Sequence, residues 1–380
     1  MELIKFNKPY ISKSAEFNIH EVIKNNHLRG DGYFSKKCQE WLENFLKAKK
    51  VLLTHSCTAA LEMSAMLVDI REGDEVILPS YTFVSSANAF VLRGAKPIFV
   101  DVNPFTLNID EKDIISKITN KTKAILVVHY AGSSCDMKKV TNIAKKKNIY
   151  IIEDAAQSLI SYYEKRPLGS IGDLGCLSFH ETKNIQSGEG GALIINNSKL
   201  IERAEILREK GTNRVQFFQG KVDKYSWVDI GSSYLPSELI GAFLYSQLEE
   251  SIVITKNRLD TWNLYYENFK NIKKENFYIQ KIPSFNKING HIFFMILPNS
   301  KYRNDFIRIL YKKGIESTFH YIPLHNSPYY MKKFGSPPIL KNTESLYKRI
   351  VRLPIWSSRD LPVQKIIKST IEVFAELNFL

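Results

Sequence analysis

Residues 50–200 predict an α/β fold built on a mostly parallel central sheet, and three features carry that expectation. Short runs rich in valine and isoleucine alternate with stretches of helical periodicity, and Gly73 and Gly94 punctuate the joins. Strands are expected at 51–54, 76–78, 97–100, 124–129, 149–153, 175–179 and 192–195. The run at 149–153 is short and β-branched, which suits a parallel strand covered on both faces, with Asp154 at its carboxyl end. Helical spacing at 58–68 and 137–147 supplies two of the crossovers.

From 237 to 269, apolar residues at helical spacing predict one long helix, or two, leading away from the sheet. Beyond Pro283 come a strand at 292–297, a helix at 303–313, an aromatic and proline-rich stretch at 319–330, and a closing helix at 363–377. The expected organisation is therefore a large domain over 1–250, including an N-terminal segment, and a small α/β C-terminal domain over 251–380. A chain of 380 residues, 44% of them hydrophobic, can bury cores of that size.

The formal charge is +14, from 53 basic and 39 acidic side chains. Much of the excess lies in runs such as Lys145-Lys146-Lys147, which read as solvated helix ends, and no interleaved aromatic pattern marks a nucleic-acid surface. An anionic small molecule would use the same surplus, and the charge by itself establishes neither. Cys38, Cys57, Cys135 and Cys176 are widely spaced and form no C-x-x-C pair, so neither a metal site nor a disulfide framework is expected. The N-terminus lacks a signal peptide's apolar core, and no stretch approaches the ~20 apolar residues of a membrane helix. A cytoplasmic protein is the expectation.

Two segments carry the chemistry: Asp154-Ala155-Ala156-Gln157, and Ser178-Phe179-His180-Glu181-Thr182-Lys183-Asn184. Each follows a predicted strand, at the sheet edge where open α/β folds collect ligands. A lysine that forms a Schiff base and a carboxylate that holds the nitrogen of a pyridine ring are the two groups pyridoxal phosphate requires. Lys183 and Asp154 supply them. Alone, Lys183 reads as a surface lysine and Asp154 as a helix cap; their company, with Gly188-Glu189-Gly190-Gly191 returning the chain to the next strand, points to a site.

Ser56-Cys57-Thr58-Ala59-Ala60 joins a strand to a helix, so open backbone N–H groups would face a phosphate, although the same pattern is also an ordinary N-cap. Ser178 can add a hydroxyl. Within Pro79-Ser80-Tyr81-Thr82-Phe83, an aromatic side chain can stack on a planar cofactor or simply fill the core. His320 and His325 lie five residues apart with no carboxylate at metal spacing, and read as substrate contacts or as structure.

On these segments, and on His320-Tyr321-Ile322-Pro323-Leu324-His325, nearly the whole chain resembles the DegT/DnrJ/EryC1/StrS family of sugar-nucleotide aminotransferases. That resemblance implies the aspartate aminotransferase-like fold of type I pyridoxal phosphate enzymes. It implies Lys183 as the Schiff-base lysine and Asp154 on the pyridinium nitrogen. Gln157 is implied at the ring hydroxyl, Phe83 stacked on the ring, and Cys57, Thr58 and Ser178 at the phosphate. His320, Tyr321 and His325 are expected at the substrate. The family completes its phosphate site with an asparagine from a neighbouring subunit, in a Gly-x-Asn-Tyr-Arg segment. Here the segment is Gly231-Ser232-Ser233-Tyr234-Leu235, so Ser233 takes that place and a homodimer is implied.

Segments such as Leu28-Arg29-Gly30-Asp31-Gly32 and Arg208-Glu209-Lys210-Gly211-Thr212-Asn213-Arg214 are similar to the branch that aminates a dTDP-linked 4-keto-6-deoxy sugar with L-glutamate. Family members that dehydrate a sugar replace the lysine by histidine, which Lys183 argues against. Amination at C3, or at C4 from the other face, keeps the lysine and stands as the alternative. A non-catalytic regulator would need an added DNA-binding module, for which no chain is left over.

Overall fold

The computed structural model describes residues 3–379. Seven strands form the central sheet: β1 (Lys50–Thr54), β2 (Glu75–Pro79), β3 (Lys96–Val100), β4 (Thr122–Val128), β5 (Tyr150–Asp154), β6 (Leu174–Ser178) and β7 (Gly191–Ile195). Their order is β1-β7-β6-β5-β4-β2-β3, with β7 antiparallel to both neighbours and the other pairs parallel. Each matches an expected strand, with ends displaced by no more than two residues. The carboxyl ends of β1, β2, β5 and β6 therefore share one edge.

Alternate residues of each strand feed opposite faces, which fixes register. Along β4, Ala124, Leu126 and Val128 join the core under the helix Cys57–Leu67, while Ile125 and Val127 join a second core under Met137–Lys147. That second helix starts where Asp136 accepts from Lys139 N and stops where Asn148 turns left-handed at φ 54°. Lys145, Lys146 and Lys147 fill its last turn, complementing the helix dipole. A third core packs β1, β6 and β7 against Tyr33–Leu46 and Glu238–Glu249.

The expected long helical stretch is two helices, Glu238–Glu249 and Ser251–Phe269. The second feeds Trp262, Tyr265 and Phe269 into an aromatic C-terminal core. There β8 (Tyr278–Ile279), β9 (Phe294–Ile296) and β10 (Ile350–Arg352) form an antiparallel sheet. The helices Ser300–Lys312 and Val363–Glu376 lie near the expected limits and pack on the same core through Phe306, Leu310, Val373 and Phe374. The cores do not part cleanly at residue 250, because Ile254 packs with the large sheet and Ile4 with the C-terminal cluster. Ile4 gets there by a parallel bridge to Ile315. Nothing in the sequence periodicity marks that return of the N-terminal segment.

Candidate active site

A cavity of about 530 Å³ opens at the sheet edge where β1, β2, β5 and β6 end. Cys57, Thr58, Phe83, Asp154, Gln157, Ser178, Lys183, His320 and Tyr321 all line it. Segments more than 250 residues apart are thereby brought together, from Cys57 to Tyr321.

Its anion end is the start of the helix Cys57–Leu67. Ser56 is extended and its Oγ accepts from Ala59 N at 3.1 Å, so the cap is real, and it still leaves the first N–H groups, those of Cys57 and Thr58, open to the cavity. Thr58 Oγ1 and Ser85 Oγ share a hydrogen bond of 2.8 Å. The start of β7 runs directly behind this turn: a Cβ on Gly191 would lie 2.3 Å from the Ser56 carbonyl carbon and 2.4 Å from the Cys57 nitrogen. Only glycine permits that approach.

Asp154, at the end of β5, is 6% exposed. Its Oδ1 accepts from Ala156 N at 3.2 Å and its Oδ2 from Ser86 Oγ at 2.6 Å, and Ser86 Oγ in turn lies 2.7 Å from Thr82 Oγ1. The carboxylate is thus held in one orientation. Gln157 is held likewise: Oε1 accepts from Ala131 N at 2.7 Å and Nε2 donates to the Tyr321 hydroxyl at 3.1 Å. Tyr321 itself has φ 21° and stacks on His320 with ring centroids 3.6 Å apart, so the strained backbone there is pinned by its neighbours. His320 Nδ1 lies 2.9 Å from the Tyr130 hydroxyl.

Lys183 sits in the turn after β6, its backbone N–H donating to His180 O at 2.9 Å. Burial lowers the basicity of its amine, and Arg352 pushes the same way, while Cys57 and Asp154 oppose them. A less basic lysine spends more time as the free amine that carbonyl chemistry needs. Phe83 is 57% exposed at the mouth, with its ring 6.4 Å from that of Tyr321.

Two expected site residues lie elsewhere. His325 is fully buried outside the cavity, with Nδ1 2.6 Å from Ser80 Oγ and its backbone N–H donating to the same oxygen at 3.0 Å. It fastens the 319–330 segment to the end of β2, because the 3-10 turn Leu324–Asn326 carries the second histidine inward while His320 stays at the cavity. Ser233 is exposed, paired by a backbone bridge to Glu209, and does not line the cavity of its own chain. Sequence reasoning also missed Ser86, which orients Asp154, and the buried pair beneath β5: Glu153 Oε2 lies 2.7 Å from His129 Nε2. Glu153 also accepts from the backbone N–H groups of Gly169, Ile171 and Gly172. Ser86 follows directly on the recognised Pro79–Phe83 motif, which is the one signal that pointed to it.

The donors fit pyridoxal phosphate: an open helix start for its phosphate, an oriented carboxylate for its ring nitrogen, an oriented amide, and a lysine of lowered basicity. The DegT/DnrJ/EryC1/StrS aminotransferase family is matched over residues 9–370. An uncharacterized protein of Methanocaldococcus jannaschii is 34% identical over 92% of this chain and 93% of its own. GDP-perosamine synthase of Escherichia coli O157:H7 is 28% identical over 94% of each. Among solved structures, Helicobacter pylori PseC, an aminotransferase involved in the biosynthesis of pseudoaminic acid, superposes with a TM-score of 0.91. It is 26% identical, over 99% of this chain and 100% of that one. The chain therefore belongs to the DegT/DnrJ/EryC1/StrS family, as a pyridoxal phosphate-dependent sugar-nucleotide aminotransferase with that family's α/β fold.

Proposed function

We propose that the enzyme moves the amino group of L-glutamate to C4 of dTDP-4-keto-6-deoxy-D-glucose, giving dTDP-4-amino-4,6-dideoxy-D-galactose and 2-oxoglutarate for a surface glycan. The observation that carries transamination is the Lys183 amine, partly buried in a cavity whose facing carboxylate, Asp154, is oriented by Ser86. When bound, pyridoxal phosphate supplies an electron sink for the carbon that loses or gains the amine. Asp154 would keep the ring nitrogen protonated, and the spare N–H of Gln157 Nε2 would reach the ring hydroxyl. Lys183 Nζ would carry a proton between the substrate carbon and the cofactor's C4′, in one direction with glutamate and in the other with the keto sugar, a task suited to an amine of lowered basicity.

The dTDP sugar and the face of attack rest on the sequence segments at 28–32, 87–96, 179–184 and 208–214, which are similar to the dTDP-4-amino-4,6-dideoxygalactose transaminase of enterobacterial common antigen synthesis. Amination of another nucleotide sugar, or from the opposite face, is the second reading, favoured by the likeness to GDP-perosamine synthase. A homodimer with shared sites is part of the proposal. Ser233 is exposed beside Trp227 and Ile230, which are 79% and 41% exposed, so this segment offers an apolar surface to a second copy. Four free cysteines suit a reducing cytoplasm. Among the described residues no helix is long and apolar enough to cross a membrane.

Proton NMR of the product formed from dTDP-4-keto-6-deoxyglucose and glutamate tests the assignment. A small coupling between H3 and H4 of the sugar is expected, for an axial amine. A large coupling would reverse the face, and turnover only with UDP- or GDP-linked keto sugars would overturn the nucleotide.

A further inference from the structure

A second cavity, about 250 Å³, meets the first at Lys183, Gln157, Thr182, His320 and Tyr321, and lies toward the C-terminal core. Its other walls bring in Arg258, His291 and Arg352, and it has no aspartate or glutamate among its lining residues. Neither arginine forms an ion pair among the described residues. Arg258 is 3% exposed and spends its donors on backbone carbonyls, Nε on Gly290 O at 3.2 Å and Nη2 on His291 O at 2.8 Å. Arg352 engages only one nitrogen, Nη2, with Phe319 O at 3.0 Å. Its Nε is buried without a partner, and its guanidinium carbon stands 4.7 Å from the Phe6 ring.

Uncompensated cations gathered around one cavity call for an anion, and a guanidinium with an unpaired buried N–H favours one with paired oxygens. The cofactor's own anionic group is accounted for at the other end, over the helix start at Cys57. The anion at this end would lie beside the amine of Lys183, where the amino donor must react. The cavity is smaller than the ~300–1,000 Å³ of drug-sized ligand pockets, so it suits an amino acid better than a nucleotide sugar.

We infer that this cavity is the amino-donor subsite and that Arg352 binds a carboxylate of the donor, with the charge of buried Arg258 behind it. His291 completes the wall: its Nδ1 lies 2.8 Å from Asn184 Oδ1, whose own amide donates to Asn289 O at 3.0 Å, so the ring is fixed with Nε2 left over. Because Arg352 closes β10 and pairs with Thr318 just before His320, the C-terminal sheet sets donor selectivity for a reaction catalysed on the large sheet. The inference rests on the glutamate reading above.

The test separates the two half-reactions of the holoenzyme by single-turnover spectroscopy. With Arg352→Gln, the glutamate concentration that half-saturates bleaching of the cofactor's visible band should rise about tenfold to hundredfold, the worth of one charged hydrogen bond. In the return half-reaction, amination of the keto sugar by the pyridoxamine form, the half-saturating keto-sugar concentration should stay near wild type, which also reports that the variant folds. Arg352→Lys, which keeps the charge, should fall between. Glutarate, a dicarboxylate that cannot react, should bind the cofactor-free protein by calorimetry and lose affinity in Arg352→Gln. An unchanged glutamate half-reaction overturns the inference, and so does an equal or larger defect with the sugar, which would give Arg352 to the sugar diphosphate. If glutamate fails to bleach even the wild-type holoenzyme, the donor reading itself falls, visibly apart from any effect of the variant.

Discussion

On one side of Lys183, the groups that fit the cofactor stand at or just beyond the carboxyl ends of strands: Ser56 after β1, Asp154 ending β5, Ser178 ending β6. On its other side, Arg258, His291, His320 and Arg352 come from a helix, two loops and a three-residue strand, all downstream of residue 250. The first side is built by local sequence, because each strand carries its functional residue in the next few positions. The second is built by packing, because its residues meet only once the aromatic C-terminal core has formed. Groups at strand ends can be read from motifs, whereas the cavity beside them is assembled only by the tertiary fold.

The largest effect is expected at Lys183, the residue both sides share. Lys183→Ala should abolish steady-state turnover while leaving cofactor capture partly intact, since the helix start and Asp154 remain; near-normal turnover would remove Lys183 from the reaction. On the strand-end side, Asp154→Asn should lower kcat by about 10²- to 10³-fold, the range of losing one preorganised charge, and should loosen the cofactor as well. Equilibrium dialysis of the cofactor alongside the kinetics checks both, and unchanged values would show that Ser86 orients a carboxylate of no consequence.

Beneath that side, Glu153 is fully buried, and burial alone would push its carboxyl up. The His129 hydrogen bond and charge, with the backbone N–H groups of Gly172 and Gly169, outweigh burial and hold it below the usual carboxylate range. A carboxyl lowered in the folded state contributes stability that is fully present above its unfolded value, near ~4.3, and is lost as pH falls through the folded value. Glu153→Gln should therefore cost about 1–3 kcal/mol near neutrality and flatten the acid limb of a denaturation series. An equally steep acid limb in the variant would assign that limb to other carboxyls.

The smallest kinetic effect is expected at His325. Its loss removes the buried contact with Ser80 and should lower stability by about 1–2 kcal/mol with substrate KM values unchanged. A selective rise in a substrate KM would return His325 to the site.

Legibility follows the same division. The seven central strands, the helix 137–147 and the meeting of Asp154 and Lys183 at one cavity could be read because apolar runs and strand-end residues are local signals. His320 and His325 carry identical side chains in one motif, and only the inward 3-10 turn at Leu324–Asn326 separates a cavity wall from a structural tie. Arg352, in a run of ordinary β pattern, carried no signal at all, because its meaning comes from Phe6, Arg258 and His291 across the fold.

One lysine, Lys183, lines both cavities and joins the two sides. Borohydride reduction of the holoenzyme followed by peptide mapping tests it directly. The pyridoxyl label is expected on Lys183 alone, and a label on any other lysine, or none, would remove Lys183 from that place.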